Sequence, residues 1–163
     1  SESNPLKVEI RFNISENHRN TATAIADMWK EIGVETTLLP QESASFYPYL
    51  QQGGAFQVAR AGWIADYSDP QNFLFMLESG NPSFNYAHYS NPDYDKLMQQ
   101  AAAETDLDRR ADLLKQAETF VMRDEPFISL MYYGSLSLVS PKLKGWENNV
   151  QNVHATRWMS IGN

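Results

Sequence analysis

From Leu6 to Phe12 the chain alternates strictly, with Leu6, Val8, Ile10 and Phe12 set against Lys7, Glu9 and Arg11. A period of two puts one set on each face of a strand, so the segment predicts a half-exposed β-strand. The period then lengthens. Ala22, Ile25, Trp29 and Ile32 recur at helical spacing within a helix expected from about Asn17 to Ile32, and Gly33 supplies its stop. Val34 to Leu39 is β-branched and apolar, a second strand. Ser43 to Gln52 reads as a short helix, started or interrupted by Pro48 and ended by Gly53-Gly54. Phe56 to Trp63 carries enough apolar residues to be a buried third strand. Strand, helix, strand, helix, strand in this order implies parallel pairing through right-handed crossovers.

Asp69-Pro70 has the signature of a helix start, with Asp69 as N-cap and Pro70 at the first helical position of a short helix, Pro70 to Glu78, stopped by Gly80. Asn81 to Tyr89 is a polar, aromatic loop. Asn91-Pro92 repeats the cap-plus-proline signature, and Tyr94, Leu97, Met98 and Ala101 form the buried stripe of the helix that follows. Thr105-x-x-Asp108 resembles a capping box with Asp in place of Glu, and Leu107, Ala111, Leu114 and Val121 give the next helix its face. Phe127 to Tyr133 and Leu136 to Val139 read as strands, and Thr156 to Ile161 as a closing one. There is no internal repeat and no low-complexity segment. The expected class is α/β, a mixed, mostly parallel sheet flanked by helices, and 163 residues are enough for a single domain with its own core.

The stretch Val58-Ala-Arg-Ala-Gly-Trp-Ile-Ala-Asp-Tyr-Ser-Asp-Pro70 concentrates the candidate chemistry. Arg60 interrupts an apolar run, where an unpaired charge costs several kcal/mol, so something must pair with it. Asp69 is accounted for as a cap. Asp66 is left over where strand becomes loop, and in open α/β sheets that edge holds ligands. By itself Asp66 also fits an Asx-turn that holds its own loop.

This stretch resembles the Trp-x-Ala-Asp-Tyr-x-Asp/Glu-Pro region of the family 5 extracellular solute-binding proteins. Further similar pieces follow in order: Tyr86-Ala-His-Tyr-Ser-Asn-Pro-Asp-Tyr-Asp-Lys-Leu97, Thr105-Asp-Leu-Asp-Arg-Arg110, Gln116-Ala-Glu118, Pro126-Phe-Ile-Ser-Leu-Met-Tyr-Tyr133 and Leu138-Val-Ser-Pro141. Together they run over nearly the whole chain and look like the carboxyl-terminal lobe of the oligopeptide-binding branch. The resemblance implies one lobe of a larger two-lobed protein whose amino-terminal lobe is not in this sequence. It further implies a periplasmic or otherwise extracytoplasmic location, a peptide ligand, and the membrane permease subunits of an ABC transporter as partners. Residue by residue, it implies that Asp66 meets the α-ammonium of a bound peptide. Arg60 then lies near the cleft, facing a peptide carboxylate or an acidic side chain, with a salt bridge inside the lobe as the other reading. Trp63 and Ile64 would wall the first side-chain pocket, Tyr133 would touch the ligand or make a buried hydrogen bond, and Asn85 would lie at the cleft. Two departures stand out. The family's oligopeptide branch carries a small residue where this chain has Ile64, and a tryptophan near Ser43 where this chain has Glu42-Ser43-Ala44-Ser45, so a pocket wall is missing or moved to Phe46 or Tyr47.

Composition narrows the rivals. A formal net charge of −7 without a Lys/Arg cluster argues against a nucleic-acid surface. With no cysteine there is no disulfide, thiolate catalyst or cysteine-ligated zinc, as a periplasmic protein tolerates but does not require. His18, His88 and His154 are not at metal-ligand spacing, and His88 reads as structural. No nucleophile elbow, Walker loop or dinucleotide fingerprint is present, and no cofactor is expected. Asp66 with Asp69 as the carboxylate pair of a glycosidase is the enzyme alternative, against which stands the use of Asp69 as a cap. The opening Ser1-Glu-Ser-Asn-Pro5 lacks the basic and apolar regions of a signal peptide, and no apolar run has the length of a membrane span. The expectation is a binding protein and not an enzyme. Other ligands of the family remain open: a dipeptide, murein peptide, opine, oligosaccharide or metal chelate. Recognition of a protein partner through the acidic, aromatic surface is a further reading.

Overall fold

In the computed structural model, which describes residues 4–149 and 151–162, the alternating amino-terminal segment forms β1 (Leu6–Asn13). Its apolar set turns inward toward the end of the strand, where Ile10 and Phe12 are buried. Helix α1 (Glu16–Glu31) follows, then β2 (Val34–Gln41), α2 (Ser43–Gln51) and β3 (Val58–Ala59). The sheet order is β2-β1-β3, and both outer strands run parallel to β1. Parallel pairing of consecutive strands requires a crossover, which α1 and α2 supply. Ile10, Phe12 and Ala22 are buried together, with Ile25, Trp29, Leu38 and Val58 packed around them.

The expected third strand is much shorter than Phe56 to Trp63. Only Val58–Ala59 pair with Ile10 and Arg11, and the Arg60 N–H adds one bond to the Arg11 carbonyl at 2.8 Å. Beyond it Ala61 and Gly62 are exposed and offer little side chain to bury, so nothing repays further pairing. Ile32 is also corrected. It lies past the last helical residue and is 76% exposed, while Gly33 at φ 80° turns the chain toward β2.

The residues group into two compact units. One is built from the chain up to Trp63 together with Ser79–Tyr89, the other from Ile64–Glu78 together with the chain from Ser90 onward. The second unit holds α3 (Gln71–Leu74) with a 3-10 turn over Phe75–Leu77, α4 (Pro92–Ala103), α5 (Leu107–Asp124), and a small antiparallel pair of β4 (Leu143–Lys144) with β5 (Ser160–Ile161). Helices α4 and α5 pack together through the buried Tyr94, Met98 and Ala101 and the buried Leu114, Ala117 and Val121. Asn91 caps α4, its side-chain oxygen accepting from the Asp93 and Tyr94 N–H groups. The cap of α5 is Asp106, one residue beyond the Thr105 that the capping-box pattern singled out, and Leu107 and Ala111 at its start are exposed. Asp108 stays in the first turn of α5 as an acidic residue.

Phe127 to Tyr133 and Leu136 to Val139 are not strands. A strand exists only where a neighbour takes its backbone groups, and among the described residues none forms a ladder with them. Their large side chains stand in solvent, Tyr132 and Leu138 fully so at 103% and Leu136 at 96%. Thr156 to Ile161 forms a 3-10 turn and then the short β5 instead of one continuous strand. The α/β class stands, with a parallel sheet flanked by helices.

Candidate functional site

Asp66 sits on an exposed bend between the end of β3 and α3, outside any helix. Its backbone is held at both polar ends. The Asp66 N–H donates to Asn72 Oδ1 at 3.0 Å, and the Asp66 carbonyl accepts from Gln151 Nε2 at 2.8 Å. Asn72 is 2% exposed and belongs to α3, so the first partner is fixed in the packed interior of the second unit. Among the described residues none donates a hydrogen bond to the Asp66 carboxylate, so it makes no Asx-turn and faces solvent with its acceptor capacity unspent.

The following residues anchor this bend. Asp69 Oδ1 accepts from the Gln71 N–H at 2.8 Å, but the helix starts one residue later than expected, with Pro70 and not Asp69 at its N-cap position. Asp69 also takes a bidentate pair from Arg110 of α5, with Nη1 at 2.6 Å from Oδ2 and Nη2 at 3.0 Å from Oδ1. The guanidinium hydrogen bonds hold the Asp69 carboxyl below its usual range, and the same contact raises the Arg110 pKa. Tyr94, fully buried in α4, donates its hydroxyl to the Leu74 carbonyl at 2.5 Å and ties α3 down from its other end. A cavity of about 430 Å³ lies against this bend, lined by Ala65, Tyr67, Ser68, Asp69, Pro70, Phe73 and Gln151.

Of the other sequence candidates, Arg60, Trp63 and Asn85 belong to the first unit and Ile64 and Tyr133 to the second. Arg60 is half-buried and hydrogen-bonds Tyr47. Burial pushes its pKa down, and the Tyr47 oxygen pulls it partly back. Trp63 packs edge-to-face on Phe84, with ring centroids 5.0 Å apart and planes at 72°. Ile64, one residue on, is 77% exposed. Asn85 is buried, and its amide holds the Tyr89 peptide from both sides: Nδ2 donates to the Tyr89 carbonyl at 2.7 Å and Oδ1 accepts from the Tyr89 N–H at 2.9 Å. Tyr133 is exposed and lines a second cavity, of about 620 Å³, with Leu136, Val139, Trp146 and Asn149 among its neighbours. Phe46, one of the two suggested replacements for a pocket wall, is fully buried core, whereas Tyr47 is the half-buried partner of Arg60. Sequence reasoning missed Arg110, Asn72 and Gln151. Arg110 was visible only as half of an Arg109-Arg110 pair on a helix, and the two amides carried no signal, since their partner lies on a loop whose path a sequence does not give.

Comparison with known proteins places the chain. A family model described as bacterial extracellular solute-binding proteins, family 5 middle, matches residues 4–85. The chain belongs to the family 5 extracellular solute-binding proteins. It is 37% identical over 159 residues to the periplasmic murein peptide-binding protein MppA of Escherichia coli, an alignment covering 96% of this chain and 29% of MppA. It is 38% identical over 143 residues to the periplasmic oligopeptide-binding protein OppA of the same organism, covering 87% of this chain and 26% of OppA. Among solved structures, E. coli MppA superposes with a TM-score of 0.85 at 36% identity, over 99% of this chain and 32% of that one. Haemophilus influenzae OppA in complex with the peptide RPPGFSPFR superposes with a TM-score of 0.83 at 33% identity, over all of this chain and 32% of that one. The chain therefore spans less than a third of the length of these relatives. These three relatives are named as binding proteins.

Proposed function

We propose that this chain is the carboxyl-terminal part of an extracytoplasmic protein that captures oligopeptides and delivers them to the permease subunits of an ABC importer. The observation that carries this reading is the Asp66 bend: a carboxylate exposed and without a donor among the described residues, on a backbone fastened at both ends, inside the segment that resembles the peptide-binding branch. An ionised carboxylate of this kind suits a peptide α-ammonium, since a charge-assisted hydrogen bond is roughly twice as strong as a neutral one. Trp63, packed on Phe84 in the first unit, and the exposed Ile64 in the second are the apolar members of the candidate set. Arg60 and the exposed Tyr133 extend the candidate set, and Asn85 shapes the loop up to Tyr89. The rest of the protein, the amino-terminal lobe included, supplies the other side of the cleft, and closure of two lobes traps the ligand without covalent chemistry. Main-chain recognition then tolerates many sequences, while Asp66 fixes the register.

A murein peptide is the second reading, favoured by the 37% identity to MppA over nearly the whole chain. Native mass spectrometry of the full-length protein purified from cells separates these readings, because a closed cleft retains its ligand. Released masses corresponding to short unmodified peptides support the proposal. Muropeptide masses select the second reading. A non-peptide ligand, or cleavage of a peptide mixture during long incubation, contradicts both.

A further inference from the structure

We propose that Gln151 is a positioning residue which, with Asn72, sets the direction of the Asp66 carboxylate and thereby the protein's preference for a ligand with a free amino end. The inference rests on the reading of Asp66 as the amino-end partner and deepens it. An aspartate on an exposed bend has no strand ladder or helix to hold it. Its carboxylate direction is fixed only as far as its own peptide groups are fixed. Here both are. The N–H is tied to Asn72, a buried member of α3, and the carbonyl to Gln151, eighty-five positions later in the chain.

These two bonds remove different freedoms. Asn72 fastens the peptide plane before Asp66, and α3 behind it is held by the Arg110–Asp69 pair and the Tyr94 hydroxyl. Gln151 fastens the plane after Asp66. With both planes fixed, φ and ψ of Asp66 are determined, and the side chain has only its rotamers left to lose when a ligand arrives. Preorganisation of this kind raises affinity by lowering the ordering cost of binding, without adding a ligand contact. Gln151 is exposed and outside the core, so its amide contributes to the bend more than to folding.

The test uses the full-length protein in four forms: wild type, Gln151→Leu, Asp66→Ala, and the double variant. Each is titrated calorimetrically with tetra-alanine and with N-acetyl-tetra-alanine, and each is melted. Gln151→Leu keeps the bulk of the side chain and removes the donor. It should reduce the preference for the free over the acetylated peptide by about three- to tenfold, the effect of one lost hydrogen bond, with the acetylated affinity unchanged. In the Asp66→Ala background the same substitution should do nothing to either peptide. A purely structural Gln151 would instead weaken both peptides together in both backgrounds, which overturns the proposal. If Asp66→Ala abolishes the preference but Gln151→Leu leaves it intact, the positioning role alone is wrong. If Asp66→Ala leaves the preference intact, the amino-end reading itself falls and the positioning role with it.

Discussion

Asp66 and Asp69 lie on one bend, yet their surroundings give them opposite work. Asp66 spends its peptide groups on Asn72 and Gln151 and keeps its carboxylate open, whereas Asp69 spends its carboxylate on the Gln71 N–H and on both Arg110 Nη atoms. The second arrangement concerns stability. Replacing Arg110 by Ala removes a bidentate partner whose side chain is about one quarter exposed, so the loss should be about 1–2 kcal/mol, below that of a fully buried pair. Its pH dependence has a definite sign. The native Asp69 carboxyl is depressed below the unfolded value near 3.9, so the contribution is full above that value and disappears as pH falls through the native one. Urea melts of wild type and Arg110→Ala should differ at pH 7 and converge toward pH 2. Asp69→Ala should destabilise at least as much, since it loses the bond to Gln71 as well, with peptide affinity little changed. At this scale the sequence was partly legible. The helix start beside Asp69 followed from the proline next to it, one residue early, but Arg110, forty-one positions away, could be matched to Asp69 only by the packing of α3 on α5.

Elements were legible where a local signal ends them or where their neighbour is close in sequence. α1 stops beside Gly33, α4 starts at Asn91-Pro92, and β1 and β2 pair through the short crossover of α1. The start of α5 shows how a local pattern misleads by one residue. Thr105-x-x-Asp108 fits the capping-box template, but Asp106 takes the cap, its Oδ1 accepting from Asp108 N–H at 3.1 Å and Arg109 N–H at 3.0 Å. An ionised carboxylate at a helix start gains from the helix dipole as well as from the hydrogen bonds, which favours it over the neighbouring hydroxyl. Asp106→Ala should therefore cost about 0.5–2 kcal/mol in a denaturant melt, and Thr105→Ala less than about 0.5 kcal/mol. The reverse order would restore the capping box. The strands expected at Phe127 to Tyr133 and Leu136 to Val139 failed for a different reason. Their composition is that of strands, but pairing is a property of two segments, and no ladder partner exists among the described residues.

Across the whole molecule, that unpaired segment sets an expectation about the 163-residue chain on its own. Ile128, Leu130, Met131, Tyr132, Leu136 and Leu138 are all more than half exposed, a density of apolar surface that a monomer seldom leaves in water. The isolated chain should bind the dye ANS and self-associate as its concentration rises, and the full-length protein should do neither. Equal dye binding by both would mean that the rest of the protein leaves the segment uncovered. The candidate residues fall in different units. Asp66 with its supports lies wholly within the second unit, while Arg60 and Trp63 lie in the first. The resemblance carried by the residues around Asp66 was readable from sequence because that chemistry is local. The hydrogen bond from Gln151 to its carbonyl was not, because that partner lies eighty-five positions later in the chain.

The most direct test of the central claim is a calorimetric titration of the full-length protein and its Asp66→Ala variant with one peptide in free and N-acetylated forms. The wild type should prefer the free peptide, and Asp66→Ala should lower its affinity by about 2–5 kcal/mol, much of it the penalty for leaving the ligand's ammonium unpaired. Equal wild-type affinity for the two peptides, or undiminished binding of the free peptide by Asp66→Ala, would contradict that claim.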